Sequence, residues 1–374
     1  MIKILRSLSI FLLFGLLLGV AACTSDTVVV GPPEPPPPPP PEWTVTPEAD
    51  VYIVGDSNIV MKNGKIIHRL AGDPSRVTAN QVFLSGEDVY VAGEIRPYAA
   101  LWKNGVEQPL ELFYKNNPNH VSRAVSIFVS GDNVYVAGHQ HGKGGLPVAT
   151  LWINGVATNL SDPDADSYQA EAKSVFVSDG DVYVGGYEGA YYGIVWKNGE
   201  ILRKYRYLED FVGEGRYTRV YSIFVSDGDV YALAHDWIGV ARFTFWKNDE
   251  PHYLGLGNPG RPSAVLVSGD NVYVGGSKAA DQNDILRAGF KNYAVLWKNG
   301  VEHRLTDAED YARIDSISVL GDNVYLAGTE YYGPEHFPPG QVKSIIWVNG
   351  EAIRLEPYGF TGRTTSVYAV SRTE

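Results

Sequence analysis

Cysteine occurs once in these 374 residues, at Cys23, and methionine twice. A single thiol makes no disulfide within the chain. The motifs HExxH and GxSxG are missing, which removes two well-known hydrolase signatures. No basic stretch offsets a net charge of −12. An acidic body of that kind repels nucleic acid and anionic membrane surfaces. No window carries a convincing helical period. The eight histidines are scattered, and His139 with His141 meets a metal only if a third ligand comes from elsewhere. Glycine (40), tyrosine (24) and tryptophan (8) are plentiful, as in a secreted β protein.

The N-terminal segment MIKILRSLSIFLLFGLLLGVAAC resembles a bacterial lipoprotein signal. Lys3 and Arg6 form a basic n-region, Leu8 to Leu18 an apolar core, and VAAC matches the lipobox. The apolar stretch is short for a spanning helix. An ordinary secretory signal or an anchor helix is the alternative. The resemblance implies cleavage before Cys23, lipidation of Cys23 and a body held at the bacterial cell envelope. Thr24 follows, where some bacteria place an Asp to retain a lipoprotein at the inner membrane, so the outer membrane is expected. Loss of Lys3 and Arg6 takes the net charge from −12 to −14. No thiol is then left for a metal site or a nucleophile, and no cofactor is expected.

The stretch GPPEPPPPPPPE, residues 31–42, forms neither helix nor sheet, because proline lacks a donor and fixes φ. As polyproline II it rises about 3.1 Å per residue and spaces the body roughly 30 Å from the bilayer. A proline-rich ligand for a partner domain is the alternative. The expected organisation is signal peptide 1–22, lipidated tether 23–48 and body 49–374.

The body is written in repeats. A VY pair recurs at Tyr52, Tyr90, Tyr135, Tyr183, Tyr231, Tyr273 and Tyr325, 38 to 52 residues apart. Each is followed by a signature such as LWKNG, with Trp102, Trp152, Trp196, Trp246, Trp297 and Trp347, and Met61 in the first copy. Seven copies at that period predict a β-propeller. Each unit reads as four strands: a (SIFVS), b (NVYVAG), c (ATLWIN) and d (VEHRL), with tight turns a–b and c–d. The first unit lacks strand a, and TTSVYAV at 364–370 supplies one. The expected fold is therefore all-β, a seven-bladed propeller closed by the C-terminal strand completing blade one.

The glycines after strand b and the downstream aromatic resemble kelch repeats, loosely, over residues 49–374. The tryptophan here directly precedes the KNG turn, and the WD and GH marks of WD40 repeats are absent. The recurrent tyrosines and tryptophans are expected to pack between blades. The turn acids are expected to serve turn chemistry, since SDGD brings too few carboxylates for calcium.

Candidate function falls on the variable b–c and d–a loops, which share one rim. Off-repeat aromatics gather there, among them Tyr191, Tyr192, Trp237, Tyr331 and Tyr332. Three residues before the strand-a serine, arginine recurs as Arg123, Arg219, Arg261, Arg313 and Arg363, with Thr78 and Glu171 in the remaining units. A guanidinium cluster at a channel mouth binds carboxylate, phosphate or sulfate. The structural alternative is pairing within a blade: a tightly closed hairpin sets Arg219 opposite Asp236, Arg313 opposite Glu330 and Arg261 opposite Lys278. The cluster and sialidase chemistry share an arginine theme, but the SxDxGxTW box is missing.

The leading expectation is a monomeric, membrane-anchored lipoprotein whose loop face binds a glycan or protein partner without catalysis. The alternatives are a polysaccharide-acting hydrolase or lyase with its site at the channel mouth, and a structural scaffold of the envelope. An enzyme is expected to gather ionisable side chains with displaced acidities at that mouth.

Overall fold

The structure, a computed structural model, describes residues 43, 48–113, 120–164, 168–189, 191–206, 217–237, 241–253, 260–279, 292–307, 311–332 and 341–372. The signal, Cys23 and the proline tether lie outside the described residues. The chain is all-β, apart from one short 3₁₀ turn at Glu356–Tyr358 among the described residues. Its sheets are antiparallel and four-stranded, in the order a-b-c-d. The last two units join through a single parallel bridge, Asn292 to Tyr311. The strand Thr364–Ser371 pairs with Ala49–Gly55, with Tyr368 opposite Tyr52 and Ser366 opposite Val54.

The recurrent residues explain themselves as clamps. Each KNG-type asparagine sits at a left-handed φ of 47 to 54°. Its Oδ1 accepts from the first strand-b amide, Val89 or Val182 for example, at 2.8–3.0 Å. Its Nδ2 donates to the turn residue before that amide, as Asn104 does to Asp88 at 2.8 Å. The preceding lysine closes on the same acid: Lys103 on Asp88 and Lys197 on Asp181, both at 2.6 Å. It also lies over the VY tyrosine, 5.3 Å from the Tyr90 ring centre and 5.2 Å from that of Tyr183. One short motif thus ties the c–d turn to the a–b turn, and Asp50, Asp88, Asp181 and Asp229 are engaged in it.

Trp102, Trp152, Trp196, Trp297 and Trp347 are fully buried. Each belongs to a different one of seven apolar clusters, and every cluster draws on two consecutive sheets. The strand-a serines join the sheets as well. Ser126 Oγ accepts from Val175 N at 3.0 Å, Ser174 from Ile223 at 3.2 Å and Ser222 from Val265 at 3.1 Å. Ser316 accepts from Val367 and Ser366 from Val82, both at 3.3 Å, which brings the C-terminal strand into the same series.

Strand a is longer than its five-residue motif. It runs through Arg123, Arg219, Arg261 and Arg313, as in Ser122–Ser130 and Tyr217–Ser226, and begins one residue after Arg363 in the C-terminal strand. Each carries a one-residue bulge just before the serine position, at Asn80, Val125, Lys173, Tyr221, Ser263, Asp315 and Thr365. The strand-b glycine opposite has a physical cause there. A Cβ on Gly138 would lie 1.9 Å from the Arg123 carbonyl oxygen, and one on Gly328 2.0 Å from that of Arg313.

At the other rim, Trp43 packs edge-on against Tyr358, with ring centres 5.1 Å apart, beside the Gly64 turn.

Candidate functional site at the channel mouth

The a-strands line a cavity of about 850 Å³. Its floor is aromatic: Phe176 stands 4.5 Å from Phe224 and 4.9 Å from Phe128, and Phe83 touches Tyr368 at 5.0 Å. All seven bulge residues line its wall. A bulge re-aims its side chain, so a position that differs in all seven units faces the cavity. The sequence reading missed these residues. Their signal was that variability: the position just before the strand-a serine reads Asn, Val, Lys, Tyr, Ser, Asp and Thr in the seven units.

The bulge also corrects the expected arginine pairs by one residue. Arg219 stands opposite His235, not Asp236, and Arg313 opposite Thr329, not Glu330. Arg261 stands opposite Ser277, not Lys278. Asp236 instead accepts from the Thr218 hydroxyl at 2.6 Å and from Thr244.

The five arginines therefore differ. Arg123 holds buried Glu94 of the preceding sheet through two bonds of 3.0 Å. Arg313 Nε bonds Asp315 at 3.1 Å, and Arg363 pairs with Asp56. Arg219 lies over two rings, 4.2 Å from the centre of Tyr187 and 4.7 Å from that of Tyr217. Arg261 lines the cavity and faces no carboxylate among the described residues. Arg219 and Arg363 are not in the cavity lining.

The expected aromatics are not brought together there. Tyr191 and Tyr192 share Arg206, whose guanidinium lies 5.8 and 5.7 Å from their ring centres, and neither lines the cavity. Tyr331 packs against Tyr311 at 5.2 Å. The side chains of Trp237 and Tyr332 lie outside the described residues. Tyr217, Tyr221 and His235 supply the cavity's rim rings instead. His235 stands edge-on to both tyrosines, at 5.7 and 6.2 Å.

Acidities at the mouth are displaced. Burial pushes the Asp315 carboxyl up to about 6, against the pull of Arg313 and Arg363. Burial, with Arg261 and Arg219 nearby, holds the His235 imidazole down at about 4, so it is neutral at pH 7. One sheet earlier, burial opposes ionisation of Glu171, but Lys173, His139 and the Tyr187 hydroxyl overcome it and hold Glu171 at about 2. Tyr187 donates to Glu171 at 2.7 Å. No metal-binding cluster of histidines and carboxylates occurs among the described residues.

These sheets and this cavity define a β-propeller-type protein. No known protein family and no curated protein matches the chain. Three solved structures resemble its fold. One is the GH74 enzyme of Niastella koreensis, 13% identical over 83% of this chain and 47% of that one, with a TM-score of 0.47. A puromycin-hydrolysing peptidase of Mycobacterium tuberculosis is 12% identical over 83% and 51%, with a TM-score of 0.49. A polysaccharide lyase, an ulvan lyase of family PL25, is 10% identical over 81% and 84%, with a TM-score of 0.43. The chain spans about half the length of the first two. At these identities the likeness is one of fold.

The expectation of a non-catalytic binder is corrected here. The proteins of similar fold are mostly enzymes. The physical sign set out for an enzyme, ionisable groups with displaced acidities lining the mouth, is also present. The alternative of a hydrolase or lyase is taken up below as a proposal.

Proposed function

We propose that the chain is a propeller enzyme that cleaves polysaccharide at the mouth of its cavity. One observation carries the reading: a carboxyl that titrates near neutrality and an imidazole kept neutral line the same cavity. Asp315 then exchanges its proton close to neutral pH, its protonated fraction serving as donor, and neutral His235 accepts one. Both hydrolysis and elimination need such a pair, to protonate the leaving oxygen and to take a proton from water or from the sugar. Tyr217 and Tyr221 offer ring faces on which a sugar stacks.

The scaffold of this reading is a seven-bladed, kelch-like ring closed by Thr364–Ser371. The strand pairing, the seven inter-sheet clusters and the serine bonds that include Ser316 and Ser366 support it. Its address is the bacterial outer membrane, where lipidated Cys23 and the proline tether hold a monomeric body, with the lipobox residues as support. Its partners are the lipid bilayer and a glycan at the loop face, and its acidic charge argues against nucleic acid.

The test is a panel of neutral and acidic polysaccharides incubated with the full-length protein, with new reducing ends as the readout. They form with at least one polymer, and fall at least tenfold in Asp315→Asn and His235→Gln variants that keep the wild-type melting temperature. A panel that yields no new ends removes the reading.

A further inference from the structure

We infer that the cavity takes an acidic saccharide and that Arg261 is the residue that holds its anionic group. This rests on the proposed polysaccharide-cleaving role and names the substrate class for that site.

The first observation is a local reversal of charge. The chain carries a net charge of −12. Its cavity wall nonetheless presents Arg123, Lys173, Arg261 and Arg313 against a single carboxylate, Asp315, among the described residues. A concave, cationic site within an acidic body focuses the field and draws anions to one place. An acidic polymer, repelled by the net negative body, meets positive charge there.

The second observation is availability. Arg123 is engaged by Glu94, Arg313 by Asp315 and Lys173 by Glu171. Arg261 has no acid partner among the described residues, and its strand neighbour Ser277 is uncharged. The side chain is exposed at the cavity wall, so its five donors are free to meet a ligand. His235 lines the same wall and is held neutral chiefly by burial, with the charges of Arg261 and Arg219 adding to that effect.

The third is shape. A guanidinium fork binds two oxygens of one planar or tetrahedral anion at once. Tyr217 and Tyr221 line the same cavity as that fork. A sugar ring carrying an anionic group fits both features. A uronate carboxylate and a sulfate ester share the required chemistry, a pair of anionic oxygens on a saccharide.

The experiment is titration of the full-length protein at about 0.15 M salt, where weak surface charge effects are screened. The probes are polygalacturonate, its methyl ester, dextran sulfate and unmodified dextran. Polygalacturonate, dextran sulfate or both bind, whereas the ester and dextran do not; the arm that binds identifies carboxylate or sulfate. Arg261→Ala weakens that binding about tenfold or more with an unchanged melting temperature, and Arg261→Lys restores part of it. Equal binding of dextran, or unchanged binding in Arg261→Ala, overturns the inference. Its failure is separable from that of the enzyme reading. Cleavage of neutral polymers alone leaves an enzyme without this anchor. Arg261-dependent binding without cleavage of any polymer leaves the anchor without the enzyme.

Discussion

Arg313 donates from Nε to the Asp315 carboxylate at 3.1 Å, and the bulge at Asp315 turns both side chains onto the cavity wall. The pair is not a simple stabilising bridge, because burial raises the pKa of Asp315 while the arginine resists that rise.

The pH dependence of stability follows from that sign. Asp315 moves from 3.8 to about 6 on folding, so the native state favours its protonated form. The stabilisation is complete below pH 3.8 and is lost as pH rises through 6. Thermal melts of wild type and Asp315→Asn between pH 4 and 7 test this. The difference in melting temperature shifts in favour of the Asn variant as pH rises, and a constant difference contradicts the assignment.

The histidines predict the opposite trend. His139 and His235 fall from 6.5 to about 4 on folding, both chiefly through burial. Their contribution is present above pH 6.5 and is lost as pH falls through 4. Melting temperature therefore drops across that window, and a His139→Gln, His235→Gln double variant flattens the drop. Chemical denaturation at pH 7 and pH 5 checks the result independently.

Glu94 is 4% exposed and depends on Arg123. Arg123→Ala leaves a buried carboxylate without its partner and costs about 2 kcal/mol. Removing both groups costs less than the sum of the two single changes. A double-mutant cycle by urea unfolding measures the coupling, and strict additivity would refute it.

The bulge glycine is a sharper structural test. Gly138→Ala drives a methyl group to 1.9 Å from the Arg123 oxygen, at a cost of about 3 kcal/mol. The exposed-turn change Gly131→Ala meets no atom within 4 Å, although its φ of 56° carries a smaller backbone penalty of about 1 kcal/mol. Urea midpoints rank the two, and an equal effect would remove the bulge argument.

Much of the fold was legible because the clamp residues are written once per unit. Asn104, Lys103, Asp88 and Tyr90 form one connected device, so their joint recurrence marks a structural module rather than a ligand site. The pairing of Tyr368 with Tyr52 was legible for the same reason, since TTSVYAV repeats strand a. The site was less legible. One extra residue per inner strand leaves the apolar pattern on either side intact, so counting across the turn set Arg219 against Asp236 instead of His235. Rim aromatics misled differently: Tyr191 and Tyr192 are conspicuous in sequence, but Arg206 gathers them outside the cavity lining. Lys173, Tyr221 and Asp315 look like ordinary strand residues until the bulge turns them inward.

Trp43 rests against Tyr358 beside the Gly64 turn, on the rim away from the arginines. A surface that grips the protein by this end therefore leaves the cavity mouth open to a bulky polymer.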